Sequence, residues 1–227
     1  MPQSVLNLFF PMICSGCQSI LHTHEKVLCT HCRHELPLTK QHLTENNPFY
    51  NKFYGKIPLE HASALLDYHK KGIVQQLIHQ LKYKGHEEIG KFIGEWYGTE
   101  LLSVLSLQTV NCIIPVPLHP KKIRERGYNQ VSSFGKALSK VMQVPYREDL
   151  LIRTAYSKTQ TSKNIVLRTD LKKELFEIKA VSLPPAPHFL LIDDVITTGS
   201  TLEACAKVLL KIPESKLSMV CMAMSQS

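Results

Sequence analysis

The sequence predicts an α/β protein, a mostly parallel sheet flanked by helices, with a small four-cysteine module ahead of it. Three observations predict this. From about residue 60 onward, short apolar runs alternate with stretches of helical spacing; two Cys-x2-Cys pairs fall within the first 32 residues; and one apolar run ends in two adjacent carboxylates and a hydroxyl-rich turn. Strands alternating with helices imply a parallel sheet covered on both faces, and such sheets bind ligands beyond the carboxyl ends of their strands. A length of 227 residues accommodates one such domain and a small module. Hydrophobic residues at 44% against charged residues at 20% are ordinary globular composition and exclude a disordered chain.

The elements follow in order. Cys14, Cys17, Cys29 and Cys32 form two pairs separated by eleven residues, enough to bring two knuckles around one tetrahedral ion. Thiolates suit zinc, and a closed four-sulfur shell leaves no open position, so the expected role is structural. An iron–sulfur centre or a redox pair is the alternative. His22, His24, His31 and His34 stand close enough to replace a cysteine, but two complete pairs make that unnecessary, and they read as exposed loop residues. Lys40 to Pro58 clusters turn formers, which sets a boundary near residue 60: module and linker over 1–60, α/β domain over 61–227. Ala62 to Tyr68 reads as a strand. Ile73, Leu77, Ile78 and Leu81 then mark one helix, and Ile89, Phe92, Ile93, Trp96 and Tyr97 form the core stripe of the next. Val110 to Val116 reads as a buried strand, Val131, Phe134, Leu138 and Val141 as a helix, and Leu190 to Asp193 as a further strand. Gly199 to Lys211 reads as a helix with Leu202, Cys205, Ala206 and Leu209 inward, before a last strand from Lys216 to Met224. Cys112, Cys205 and Cys221 fall in these apolar runs and are expected to be buried as small hydrophobes.

Formal net charge is +8, and its distribution is uneven. Residues 121–173 hold thirteen Lys/Arg against four Asp/Glu, whereas the rest of the chain is near balance. That concentration favours a polyanionic ligand over a merely solvated face, either a phosphorylated small molecule or a nucleic acid. The longest uncharged stretch, Leu101 to Pro120, contains three prolines and lacks the run of about 20 apolar residues that a membrane span needs. No basic region precedes the N-terminal apolar residues, which argues against a secretory signal and for the cytoplasm. The cysteine pairing pattern fits a reducing compartment.

LLIDDVITTGST, from Leu190 to Thr201, is the sharpest feature. The hydroxyls of Thr197, Thr198, Ser200 and Thr201, the backbone around Gly199 and the start of a helix together form a cradle for phosphate. Asp193 and Asp194 would repel a phosphate unless they face polyol hydroxyls or a hydrated Mg²⁺. A sugar phosphate with a free diol satisfies both halves. Neither GxxxxGK[ST] nor a GxGxxG after a strand is present. PVPLHPKKIRERGYNQ, from Pro115 to Gln130, places a proline-stiffened turn after a strand and delivers Lys121, Lys122, Arg124 and Arg126 to the ligand side of the sheet. Asn129 or Gln130 contacts ligand or simply caps the next helix. Lys82 and Lys84, in LIHQLKYKG, lie at the end of a helix, where a cation complements its dipole. Arg153 to Arg168 is polar and aperiodic and reads as a mobile loop.

The chain resembles the type I phosphoribosyltransferases, whose signature for 5-phosphoribosyl-1-pyrophosphate (PRPP) is an acidic pair followed by a TTGxT-like turn. Within them it is most similar to the ComF/GntX family, associated with DNA uptake by competent bacteria, through the four-cysteine module, LIHQLKYKG, PVPLHPKKIRERGYNQ and the signature, in that order. The resemblance implies the type I phosphoribosyltransferase fold. It implies that Asp193 and Asp194 hold the ribose hydroxyls, that Val195 and Thr197, Thr198, Gly199, Ser200 and Thr201 surround the 5′-phosphate, and that the loop from Val116 through Leu118 and His119 to Lys121 faces pyrophosphate. For Lys82 and Lys84 it implies a ligand or nucleic-acid role as the alternative to the helix dipole. It implies that the loop from Arg153 to Arg168 closes over a ligand; the alternative is that it grips a DNA backbone, and Lys158, Lys163, Arg168, Lys172 and Lys173 support either. It further implies Mg²⁺ accompanying PRPP, a role in handling single-stranded DNA, and contact with uptake machinery at the inner membrane. A transferase of ribose 5-phosphate with an unknown acceptor is the first reading. Two others stand beside it: a non-catalytic DNA-binding scaffold, in which Tyr128 and Tyr156 stack bases, and a salvage transferase, which would need a base-recognition hood. No glutamine amidotransferase domain fits the length.

Overall fold

The computed structural model describes residues 11–154, 175–179 and 183–225. After the cysteine module and its short helix α1 (Thr30–His34), α2 spans Pro48–Phe53 and β1 His61–Tyr68. Helices α3 (Ile73–Tyr83) and α4 (Glu87–Leu101) lead to β2 (Cys112–Pro115), α5 (Pro120–Arg126) and α6 (Ser132–Met142). Strands β3 (Leu151–Arg153) and β4 (Phe176–Ile178) precede β5 (His188–Ile196), α7 (Ser200–Leu209) and β6 (Lys216–Ser225).

The main sheet has the order β1-β6-β5-β2, and every pairing in it is parallel. Its side chains alternate between two apolar clusters, as a pleated strand covered on both faces requires. Ile113, Leu190, Ile192, Val220 and Met222 face α3, α4 and α6, together with Cys14, Val27, Leu28 and Cys32 of the cysteine module. Ile114, Phe189, Leu191, Met219 and Cys221 face α2 and α7. Cys112 and Cys205 are buried in this second cluster as well.

Three regions differ from the sequence expectation, the first being the proline-stiffened turn after β2, which continues as the seven-residue helix α5 ended by Gly127 at φ +80°. The turn formers between Lys40 and Pro58 contain a helix: the Asn47 side chain caps it by accepting from the Tyr50 N–H at 3.0 Å, with Pro48 at the first position. The Asn47 amide also donates to the carbonyls of Gln41, Thr44 and Ala62, tying the segment to β1. Its Phe49 and Phe53 are fully buried. The third difference is the antiparallel ribbon of β3 and β4, three residues each, too short for alternation to register in sequence. Arg153 belongs to this ribbon, with its guanidinium 5.5 Å from the Phe176 ring centre. Among the described residues no helix is long and apolar enough to cross a membrane.

Candidate functional site

Strand β5 outruns its neighbour. Pro115, the last residue of β2, pairs with Ile192, so β5 from Asp193 to Ile196 stands beyond that edge while still paired to β6. Alternation then separates the adjacent carboxylates. Asp194 points to the α3 and α6 side, and Asp193 to the side of Cys205 and Cys221, whose thiols it helps push up.

Asp194 is 4% exposed and closes a ring of contacts. Its Oδ1 lies 2.9 Å from Lys82 Nζ, and its Oδ2 accepts from Gln130 Nε2 at 2.5 Å. Gln130 Oε1 in turn accepts from Arg126 Nη1 at 2.7 Å. The Arg126 guanidinium carbon sits 5.0 Å from the Tyr83 ring centre, with Nη2 3.5 Å from the Tyr83 hydroxyl. Tyr83 follows Lys82 in α3, which completes the ring. Three separate sequence motifs therefore meet at one carboxylate. Asp193 Oδ1 accepts the Asp194 N–H at 2.8 Å. Burial, reinforced by the Asp194 charge, pushes the Asp193 carboxyl well above the ordinary carboxylate range, against the opposing pull of Lys82 and Lys122.

Beyond β5, Thr197, Thr198, Ser200 and Thr201 are exposed, and Gly199 stands at the N-cap of α7 with φ +80°. That conformation favours glycine. A Cβ there would also come within 2.8 Å of Phe53 Cζ, so the N-terminal segment braces this turn. Gly199 has no side chain to cap α7, and the positive end of the helix dipole faces the turn. The Thr198 hydroxyl accepts the Ser200 N–H at 3.4 Å. Val195 is half-buried against the first cluster.

The loop after β2 is held by its own residues. The Val116 N–H donates to Ile192 O at 2.9 Å, and Asn129 Nδ2 donates to Val116 O at 3.1 Å. Asn129 thus positions the loop, while Gln130 reaches Asp194. Leu118 and His119 are half-buried, and His119 caps α5 by accepting from the Lys121 N–H at 3.1 Å. Lys121 lies on the exposed side of α5 at 3.8 Å from Glu125, an exposed pair of little energetic weight. No residue of α5 is buried. Lys82, Tyr83, Lys122, Glu125, Arg126 and Tyr128 line a cavity of about 260 Å³, which Lys82 links to Asp194. The Tyr128 hydroxyl donates to the Leu81 carbonyl, anchoring the ring between α3 and α5. Sequence reasoning left Lys82 and Gln130 undecided and missed Tyr83, for which adjacency to Lys82 was the only signal. Tyr156, Lys158, Lys163, Arg168, Lys172 and Lys173 lie outside the described residues.

The sulfur atoms of Cys14, Cys17, Cys29 and Cys32 all lie within 4.8 Å of one another, an arrangement that can hold a metal ion. The Cys17 and Cys29 sulfurs are 3.7 Å apart. The amides of Gly16 and Cys29 donate to Cys14 Sγ at 3.4 and 3.3 Å, and that of Cys32 donates to Cys29 Sγ at 3.4 Å. His22, His24, His31 and His34 are exposed and stand outside this group. Arg33 of α1 places its guanidinium 5.2 Å from the Trp96 ring centre and 5.9 Å from that of Phe92. The stripe expected of α4 forms: Ile89, Ile93 and Tyr97 are buried in the core, and half-buried Phe92 and Trp96 pack against it while receiving Arg33 on their outer side.

A parallel sheet whose central strand ends in an acidic pair and a hydroxyl-rich helix start, joined to a four-cysteine module, defines the class: an α/β protein with an N-terminal cysteine module. DNA utilization protein YhgH of Shigella flexneri is 30% identical over 214 residues, covering 92% of this chain and 89% of that protein. Competence protein F of Haemophilus influenzae is 28% identical over 208 residues, covering 88% and 85%. The chain belongs to the ComF/GntX family. Among solved structures it is similar to a hypoxanthine phosphoribosyltransferase from Staphylococcus aureus, at 18% identity and TM-score 0.35 over 60% of this chain and 62% of that one. It is also similar to adenine phosphoribosyltransferase from Leishmania tarentolae, at 14% identity and TM-score 0.38 over 63% and 73%. No protein-family model matches the chain.

Proposed function

We propose that the protein binds PRPP at the carboxyl end of β5 and works in the handling of single-stranded DNA during DNA uptake, in the cytoplasm. The observation that carries the ligand reading is the convergence of Lys82 and Gln130 on Asp194, with Arg126 behind Gln130, next to the start of α7. In this reading Thr197 to Thr201 take the 5′-phosphate, the acidic pair serves the ribose through Asp194, which faces its hydroxyls while Asp193 supports it from the other side of the strand, and the cavity lined by Lys82, Lys122, Glu125 and Arg126 takes the diphosphate. Val116, Leu118, His119 and Lys121 border it. Transfer of ribose 5-phosphate to an acceptor would rest on positioning and on cationic neutralisation of the departing pyrophosphate. Both Asp194 oxygens are already engaged by Lys82 and Gln130. Mg²⁺ would therefore arrive with the diphosphate, adding charge neutralisation there, rather than in a protein-built cage.

Zinc suits the four-cysteine group: thiolates about 2.3 Å from a tetrahedral ion stand about 3.8 Å apart, close to the 3.7 Å between Cys17 and Cys29. The names of the relatives support the connection to DNA and competence. The scaffold reading draws on α5, whose Lys121, Lys122 and Arg124 are all exposed and suited to a phosphate backbone.

Calorimetric titration of the metal-loaded protein with PRPP and Mg²⁺, beside Asp193→Ala/Asp194→Ala and with AMP as control, tests the proposal. Saturable binding of PRPP that the double variant loses is the expected result. No binding by folded wild type would overturn the ligand reading and favour the DNA-binding scaffold.

A further inference from the structure

Asp194 is doubly covered before any ligand arrives. Gln130 is 4% exposed and is held at its other end by Arg126, so it is the fixed cover. The Lys82 side chain is 22% exposed, sits on a flexible four-carbon stem, and also lines the cavity that contains Lys122 and Arg126. A diol reaching Asp194 must therefore displace Lys82. An ammonium removed from a carboxylate without a replacement is left poorly compensated, which costs binding energy. A ligand that carries an anionic group near its diol supplies that replacement within the adjoining cavity.

Resting on the PRPP reading above, we infer that Lys82 is an exchangeable counter-ion, a specificity-determining residue that admits a diol to Asp194 only when the same ligand offers a second anion to recapture the ammonium. The device selects a ribose phosphate with a diphosphate on its anomeric side over one without it. Gln130 and Arg126 hold Asp194 in place during the exchange.

The test is calorimetry of wild type, Lys82→Met, Lys82→Gln and Lys82→Arg with three probes: PRPP with Mg²⁺, ribose 5-phosphate, and inorganic pyrophosphate. In Lys82→Met and Lys82→Gln, affinity for PRPP and pyrophosphate should fall by about tenfold or more. Affinity for ribose 5-phosphate should stay level or rise, because the cover is gone. Lys82→Arg should restore the preference for PRPP. A merely structural role would weaken all probes together. Lys82→Gln keeps a donor for Asp194 and guards against the case in which Lys82→Met does not fold. Wild type that binds PRPP, with variants whose preference is unchanged or whose affinities fall in parallel, overturns this inference alone. Wild type that ignores PRPP overturns the ligand reading and the inference with it.

Discussion

Asp193 and Asp194 share a peptide bond, yet a strand sends consecutive side chains to opposite faces, so their carboxyls meet different neighbours. Asp194 finds Lys82 and Gln130, whereas Asp193 lies against the face of Cys205 and Cys221, and burial raises its carboxyl. An unfolded aspartate titrates near 3.9, and the folded Asp193 carboxyl titrates above that. Protons are therefore bound more tightly in the folded state, and the stability that Asp193 permits is fully present below the unfolded value and is lost as pH rises toward the folded one. Asp193→Asn should raise the melting temperature at pH 8 and change it much less at pH 4.5. Thermal melts at both values check this, and an equal shift at the two would contradict the assignment. At this scale the acidic pair was legible in sequence because the motif is contiguous. Gln130 was not, because its contact to Asp194 joins residues 64 apart, and no local rule selects it over Asn129.

Helices α4 and α6 meet through a row of glycines. A Cβ at Gly94 would lie 2.6 Å from the Phe134 carbonyl oxygen and 2.7 Å from Ala137 Cβ. The backbone of α6 therefore occupies the space a side chain would need, a close approach that accounts for a residue otherwise unfavourable in a helix interior. Gly94→Ala should be destabilising in spite of alanine's higher helix propensity, by about 1–3 kcal/mol for overpacking. That corresponds to a fall in melting temperature of roughly 2–4 °C per kcal/mol in a chain of this size. Calorimetric melts of wild type and variant measure it, and a stabilised variant would show that the helices separate at little cost. The apolar spacing of both helices was readable in sequence. Their partnership was not, since a glycine in sequence shows permission for close contact without naming the neighbour.

Across the molecule the cysteine module and the α/β sheet share one apolar cluster, because Cys14, Val27, Leu28 and Cys32 pack with residues of α3, α4 and the strands. Metal in such a site is coupled to folding of whatever its ligands pack against. Removing it with a chelator should lower the melting temperature of the whole protein by several degrees, and should shift the emission of Trp96, the single tryptophan, to longer wavelength as Arg33 and its module withdraw. Emission that stays unchanged after complete metal removal would show that α1 holds its place without the ion. Most of the frame was set by the sequence alone: the four strands of the main sheet and the long helices between them, the four cysteines that cluster, the acidic pair and the hydroxyl-rich turn. All are written in local periodicity, fixed spacing or contiguous motifs. The tertiary structure decided what periodicity does not encode: the order β1-β6-β5-β2, the burial of Phe49 and Phe53 in a segment rich in turn formers, the brace of Phe53 on Gly199, and the ring of Lys82, Gln130 and Arg126 about Asp194. Each depends on which surfaces meet once the sheet is assembled, and burial and charge compensation between residues distant in the chain act only after that meeting.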